Sequence, residues 1–214
     1  IKVYGVGAHG ASPHMSIDPV VISSLIVMEL QTIVSRNLKP TEAAVITVGA
    51  IKGGIKHNII PDEVTLKLTI RTYKEEVRQM VHKRIEEICR GIAISAGLPE
   101  DRMPEVLFPD DFTPANYNNP DLVDKITASA TQVIGAENVT MSEPLMVGED
   151  FSMYGSTEDN VPTVLYWLGT VTSEKITSGD LPGLHSPYYY PEPKASIQTG
   201  VTVSRKALID LFNQ

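Results

Sequence analysis

The sequence of 214 residues lacks several features that would define a function class. It has one cysteine, Cys89, and its 18 lysines and arginines are outnumbered by 26 aspartates and glutamates, which gives a formal net charge of −8. A single cysteine excludes an intrachain disulfide framework and favours a reducing, cytoplasmic compartment. The lack of a basic excess argues against nucleic acid or an anionic membrane as a partner. We therefore expect a small-molecule partner.

Long hydrophobic runs and terminal signals are also missing. The longest apolar stretch, PVVISSLIVMEL, contains two serines and ends in an acid, so we expect it to be too short to span a bilayer. No secretory signal peptide is recognisable. The sequence begins without methionine and directly in a strand-like pattern, which favours a piece of a longer protein. Its hydrophobic content of 42% is nevertheless enough for packed cores.

The first half contains six segments with the periodicity of regular elements. Asp18 before Pro19 is a strong helix start, and the apolar alternation from Val64 to Ile70 is typical of a strand. In chain order we predict strand, helix, strand, strand, helix and strand in IKVYGVGA, residues 19–35, AAVITVGAIKGG, EVTLKLTIRTY, KEEVRQMVHKRIEEICRGIAISAG and PEVLFPDDF. This order predicts a ferredoxin-like βαββαβ domain over residues 1–114, with both helices on one face of the sheet.

The second half, residues 115–214, has a different pattern. Its helices are predicted in PDLVDKITASATQVIG and PKASIQTGVTVSRKALIDLF, with a short strand in NVTM and a helical turn in EDFSMYG. The continuous apolar run VPTVLYWLGT favours a strand buried on both faces, as in a parallel α/β sheet. Two strands and two helices are too few for a complete α/β domain. We therefore expect the C-terminal portion of such a domain, with its N-terminal portion absent.

Histidines are the first candidates for chemistry, but none belongs to a compact metal motif such as HExxH. A single histidine in a loop is more often structural than a ligand. His185, in LPGLHSPYYYPEP, follows the predicted buried strand at the edge where α/β sheets bind ligands. It is a candidate metal ligand, and capping of the last helix explains it as well.

Two other pairs of polar residues are candidates. Glu149 and Asp150 occupy a strand-to-helix loop, where adjacent carboxylates line a cationic site or cap the brief helix. Asn58 and Arg71 lie thirteen residues apart, in a loop and at the end of the next strand. An arginine fork binds carboxylates and Asn adds a neutral donor, so the two are candidates to grip a carboxyl-bearing substrate. A surface arginine and a turn asparagine explain them equally well.

Four ordered segments, taken together, resemble a known family. GAHGASPH, GAIKGGIKHNIIPDEVTLKLTIRT, VGEDFSMY and GLHSPYYYPEP are similar to successive signatures of the dinuclear-metal amidohydrolases of the aminoacylase and carboxypeptidase family, in the branch of the hippurate and indole-acetyl-amino-acid hydrolases. The resemblance implies a ferredoxin-like lid that also mediates homodimerisation. It further implies an α/β catalytic domain with two divalent metals, zinc or manganese.

The resemblance also assigns roles to individual residues, although Gly-Ala-His replaces the more usual Gly-Gly-His around His9. His9 would stabilise the oxyanion, often in the partner subunit's site, and His14 would brace the loop. Asn58 would contact substrate, Arg71 would hold the substrate carboxylate, His185 would be the last metal ligand, and Glu149 and Asp150 would be an acidic pair near the site.

Several active-site residues of the family have no counterpart in this sequence. The family's other metal ligands and its general-base glutamate precede the lid, so they are absent from these residues. We expect a parent enzyme that hydrolyses N-acyl or N-aroyl amino acids through a metal-bound water, and a 214-residue chain that holds few or no metals and is inactive alone. Two alternatives stay open: a non-catalytic ligand-binding or dimerisation protein built on the same lid, and an unrelated ferredoxin-like regulatory domain.

Overall fold

The computed structural model describes residues 1–179 and 181–213. The chain divides into two compact units. The first unit contains residues 1–115 and the short segment 146–149. The second unit contains residues 116–145 and the described residues from 150 to 213.

An antiparallel sheet forms one layer of the first unit. Strands β1 (Lys2–Tyr4), β3 (Ala44–Gly53) and β5 (Glu63–Thr72) lie in the order β1-β5-β3. Lys2, the first residue of β1, also forms an isolated antiparallel bridge with Glu105. Two shorter strands, β2 (Ala8–His9) and β4 (Ile59–Ile60), pair with each other. Among the described residues, β3 has β5 as its only partner strand and is an edge of the sheet.

Two helices form the other layer. Helix α1 (Pro19–Thr32) begins where the Asp18 side chain accepts a hydrogen bond from the Val20 N–H, and it continues as a π-helical turn, Ile33–Asn37. Helix α2 (Glu75–Ser95) follows β5. The apolar faces of both helices pack on the same face of the sheet in a single core. Residues buried there include Val3, Ile22, Ile26, Leu30, Val64, Leu66, Val81 and Ile85.

The first unit is therefore the predicted ferredoxin-like sandwich, with one correction. The predicted strand in PEVLFPDDF is wrong, because only Glu105 pairs with the sheet. Prolines flank this segment and lack the N–H that a strand ladder needs. Its aromatic side chains contact α2 instead: Phe108 stacks on His82 at 3.7 Å between ring centroids, and the Arg78 guanidinium lies 4.1 Å above the Phe112 ring.

The length of the first helix corrects the expectation that its segment is too short to span a bilayer. With its π-helical turn it runs for 19 residues, Pro19–Asn37, and by length and composition alone it is long enough to cross a membrane. The sequence predicts a helix over residues 19–35, close to the observed length, but the expectation about the bilayer considered only the apolar stretch 19–30. One such helix is weak support for a membrane span, and Ile22, Ile26 and Leu30 face the core of the first unit, as in the core helix of a folded domain.

The regular secondary structure in the described residues of the second unit is all helical, and long irregular segments connect the helices. Its helices are α3 (Pro120–Ile134), α4 (Ser152–Gly155), α5 (Ser173–Ser178) and α6 (Pro193–Phe212), and α3 packs on α6. At that contact Ser129 Oγ lies 2.6 Å from Asp210 Oδ2. Sequence analysis did not predict α5, although Thr172 caps it and Gly179 ends it with φ of +73°.

The predicted strands of the second unit are wrong. Neither NVTM nor VPTVLYWLGT forms a strand in the described part of the chain, and the side chain of Trp167 is 57% exposed. A strand is stable only beside another strand, and the described residues of this unit provide none. The segment 161–168 is therefore mostly apolar and mostly exposed, apart from the buried Thr163 and the half-buried Val164, and it has no strand partner among the described residues.

Candidate functional site

His9 lies at the tip of the first unit, beside Asn58. Strand pairing sets His9 opposite Ile59, and the Gly10 N–H donates to the Asn58 carbonyl oxygen at 2.8 Å. A side chain at Gly10 would meet the Asn58 backbone at 3.2 Å, so glycine permits this close approach. The structure thus brings together two residues that are 49 positions apart in the sequence (58 − 9).

The hydrogen bond of the His9 ring determines which of its nitrogens can donate. Nδ1 accepts from the Ala11 N–H at 3.1 Å. A neutral imidazole with Nδ1 as acceptor has its proton on Nε2. Because His9 is exposed, its Nε2–H is directed at no group of this unit and is available to a substrate oxygen. This arrangement suits a donor to a developing oxyanion.

Arg71 lies at the opposite end of the sheet. Glu63 begins β5 next to Tyr4, close to the His9 tip, and Arg71 follows eight residues later, opposite Val45. At about 3.3 Å per residue the strand separates them by roughly 26 Å. The structure therefore places Asn58 and Arg71 of one protomer at opposite ends of the sheet and does not bring them together.

Arg71 is half-buried, and the end of its side chain lies beside Gly148 in the segment 146–149. A carbon atom built in the Cβ position of Gly148 would lie 3.4 Å from Arg71 Cζ and closer still to Nη1. Within the described residues Arg71 makes no hydrogen bond and no ion pair. A half-buried cation without a carboxylate partner is suited to bind an anionic group of a ligand. Glu149, also half-buried, follows directly in the same segment.

The remaining predicted site residues belong to the second unit. Asp150 is exposed, and its carbonyl oxygen accepts from the Met153 N–H at 2.9 Å just before α4. His185 is exposed in a turn closed by a hydrogen bond from the Ser186 N–H to the Gly183 carbonyl oxygen at 2.9 Å. It does not cap α6, because the capping position there is Glu192.

A metal centre is not formed by these residues alone. In the part of the chain that the structure describes, no group of three or more His, Cys, Asp or Glu side chains could hold a metal ion. A dinuclear site needs several such ligands for each ion. The described donor set therefore does not fit two metals, and His185 alone could supply one ligand.

Comparisons with known proteins define the family. The family described as peptidase dimerisation domain, of the M20 peptidases, matches residues 1–96. Hippurate hydrolase of Campylobacter jejuni is 36% identical over 72% of the chain and 39% of its own length. An N-acetyldiaminopimelate deacetylase of Bacillus velezensis is 37% identical over 95% of the chain and 50% of its own length. The chain belongs to the M20 peptidase family.

The fold of the M20 family extends over both units. The crystal structure of the Bacillus subtilis YXEP protein, a dinuclear metal binding peptidase of this family, matches with a TM-score of 0.63 at 20% identity. That match covers 97% of the chain and 49% of the Bacillus subtilis protein. The chain thus spans about half the length, or less, of the relatives it matches.

Sequence reasoning missed two features that the structure reveals. Gly148 was not singled out, because the contact with Arg71 joins residues 77 positions apart (148 − 71). A cavity of about 180 Å³ in the second unit was also missed. Lys175 and Tyr190 line it, with the Lys175 ammonium donating to the Tyr190 carbonyl oxygen at 3.0 Å. The three consecutive tyrosines before PEP also line this cavity.

Proposed function

We propose that these residues are the lid, 1–114, and the C-terminal portion of the catalytic domain, 115–214, of a cytoplasmic metal-dependent amidohydrolase. Its substrates are N-acyl or N-aroyl amino acids, which it cleaves at the amide bond. The observation that best supports this substrate class is the half-buried residue Arg71, whose guanidinium lacks a carboxylate partner among the described residues of an M20 chain. The free carboxylate of an N-acyl amino acid matches that cation.

The lid forms a homodimer in this proposal. The edge strand β3 presents unpaired backbone groups, and Val21, Leu25 and Met28 leave an apolar stripe of α1 exposed. An exposed edge next to an apolar stripe is suited to pairing with a second copy of the chain. The separation of about 26 Å along β5 means that His9 cannot serve the same site as the Arg71 of its own protomer. His9 and Asn58 therefore act in the partner's site.

Metal chemistry belongs to the parent protein in this proposal. His185 supplies one ligand, and the other ligands and the general-base glutamate come from residues outside this chain. The two metals, zinc or manganese, would supply Lewis-acid activation of the amide. The chain's own residues bind the carboxylate through Arg71 and stabilise the oxyanion through the Nε2–H of His9. The 214-residue chain alone is then inactive.

A second candidate function is a metal-free binding or dimerisation protein built on the same lid. The absence of a three-ligand metal group among the described residues favours it. Family membership removes the other alternative, an unrelated ferredoxin-like regulatory domain.

Metal analysis and hydrolysis assays on the parent and on the 214-residue chain distinguish the two functions. We expect about two metals per protomer and metal-dependent release of amino acid in the parent only.

In the parent, Arg71→Ala should raise KM for N-acyl amino acids at least tenfold, because it removes the charge-assisted hydrogen bonds. Arg36→Ala, at an exposed arginine on the π-helical turn, is the matched control and should change nothing. A metal-free parent that binds N-acyl amino acids without hydrolysing them would establish the second candidate, and hydrolysis by the pure 214-residue chain would contradict its proposed inactivity.

A further inference from the structure

The segment 146–149 is unusual in where it lies. The residues before and after it belong to the second unit, whereas these four residues group with the first. Gly148, in this segment, contacts the end of the Arg71 side chain. The backbone of Arg71 is held by pairing with Val45 of β3, and Gly148 lies beside the end of its side chain.

Glycine at position 148 is not required by the backbone. The glycines with positive φ are Gly54, Gly97, Gly135 and Gly179, so position 148 has a conformation that other residues also adopt. A Cβ atom there would, however, lie 3.4 Å from Arg71 Cζ, 3.8 Å from Nη2 and closer still to Nη1. The three heavy atoms nearest to that Cβ all belong to the Arg71 guanidinium. The guanidinium is thus the group that a side chain at 148 would displace.

We propose that Gly148 is a positioning residue for Arg71, an inference that rests on the proposed function. The missing side chain lets the guanidinium lie against the backbone of the segment, with its remaining N–H groups free for the substrate carboxylate. A methyl group at 148 would push Nη1 away by about 1 Å, because nonbonded heavy atoms rest at about 3.5 Å. A displacement of about 1 Å in a positioning contact is enough to lower activity by up to ~100-fold.

The test is Gly148→Ala in the full-length parent, with steady-state kinetics on an N-acyl amino acid and on its carboxamide analogue. We expect KM for the carboxylate substrate to rise about 10- to 100-fold with little change in kcat. The carboxamide, which cannot pair with the guanidinium in the same way, should lose at most about twofold. Calorimetric binding of the released amino acid should weaken in parallel, and the thermal midpoint should not fall, because only a flexible side-chain end must move.

Two controls separate positioning from a structural role. Gly91→Ala in α2 adds a methyl group where no atom lies within 4 Å, so it should leave both substrates unaffected. In an Arg71→Ala background, Gly148→Ala should have no further effect, because the group that it displaces is gone. Equal losses on both substrates, or an additive loss in the double variant, would overturn the role of Gly148.

The outcomes also distinguish this inference from the proposed function. A parent that hydrolyses N-acyl amino acids equally well with alanine at 148 keeps the proposed function and overturns the inference. A wild-type parent that neither hydrolyses nor binds these substrates overturns the proposed function and, with it, the inference.

Discussion

The two units differ in how they bury apolar side chains. Fourteen buried hydrophobic residues form one core in the first unit, where two helices cover one face of a sheet. Among the described residues of the second unit, the buried hydrophobic residues are Ala130, Val203 and Ala207. Large side chains such as Trp167 and Tyr188 stay exposed there. The first unit therefore has the apolar contacts of an independent domain, whereas the described residues of the second unit leave much of their apolar surface exposed.

The largest expected change in the free energy of unfolding is that of a variant in the core of the first unit. Leu30→Ala removes a side chain that is fully buried and should destabilise the chain by about 2–5 kcal/mol, because it leaves a cavity in the core. Leu165→Ala, at a side chain that is 36% exposed in the second unit, should cost less than about 0.5 kcal/mol. Urea unfolding followed by far-UV circular dichroism gives both values. Similar costs for the two variants would contradict the difference between the units.

A smaller effect should appear at high pH. Burial raises the pKa of the Cys89 thiol from 9.0 to about 12. The unfolded chain releases this proton first, so the stabilisation is complete below pH 9 and declines between pH 9 and 12. The slope should approach about 1.4 kcal/mol per pH unit. Urea midpoints of the wild type and of Cys89→Ala, measured from pH 7 to 10.5, isolate this contribution.

Tyrosines and lysines also titrate in this pH range. The contribution of the thiol is therefore the difference between the stabilities of the wild type and of Cys89→Ala at each pH. Cys89→Ala should lose less stability than the wild type as the pH rises. Parallel curves for the two proteins would show that the thiol is not buried in the core.

The smallest effect compares one helix cap in each unit. Asp18 Oδ1 accepts from the Val20 N–H at 2.8 Å, and Asn119 Oδ1 accepts from the Leu122 N–H at 3.0 Å. Replacement of either by alanine should cost about 1 kcal/mol. We expect Asp18→Ala to lower the unfolding midpoint of the first unit, and Asn119→Ala to speed hydrogen exchange in α3 without affecting the first unit. Asp18→Asn keeps the acceptor and should be close to neutral, and an identical global loss from both alanine variants would show that the units unfold as one.

The elements that the sequence predicted correctly are those specified by local signals. Asp18 and Pro19 start α1 as expected, and the alternation from Val64 to Ile70 lies in β5. Strands that depend on distant partners were not predictable. The apolar composition of 161–168 favours a strand, yet a ladder needs a neighbouring strand that no local pattern can specify.

The candidate site shows the same limit. Motifs pointed to His9, Asn58 and Arg71, and a ferredoxin-like topology implied their strands. Their distribution over the two ends of the sheet became evident only from the pairing of Glu63 with Tyr4 and of Arg71 with Val45. The contact between Arg71 and Gly148 has no sequence periodicity and required the folded structure.

The exposed segment 161–168 also affects how the chain behaves at high concentration. It has no charged residue, it is rich in residues that favour strands, and its backbone has no ladder partner among the described residues. Such a segment favours intermolecular strand pairing, which Pro162 and the backbone hydrogen bonds of Thr163 and Leu165 with residues 118 and 119 oppose in part. At high concentration we therefore expect the isolated chain to self-associate through these eight residues unless another surface covers them.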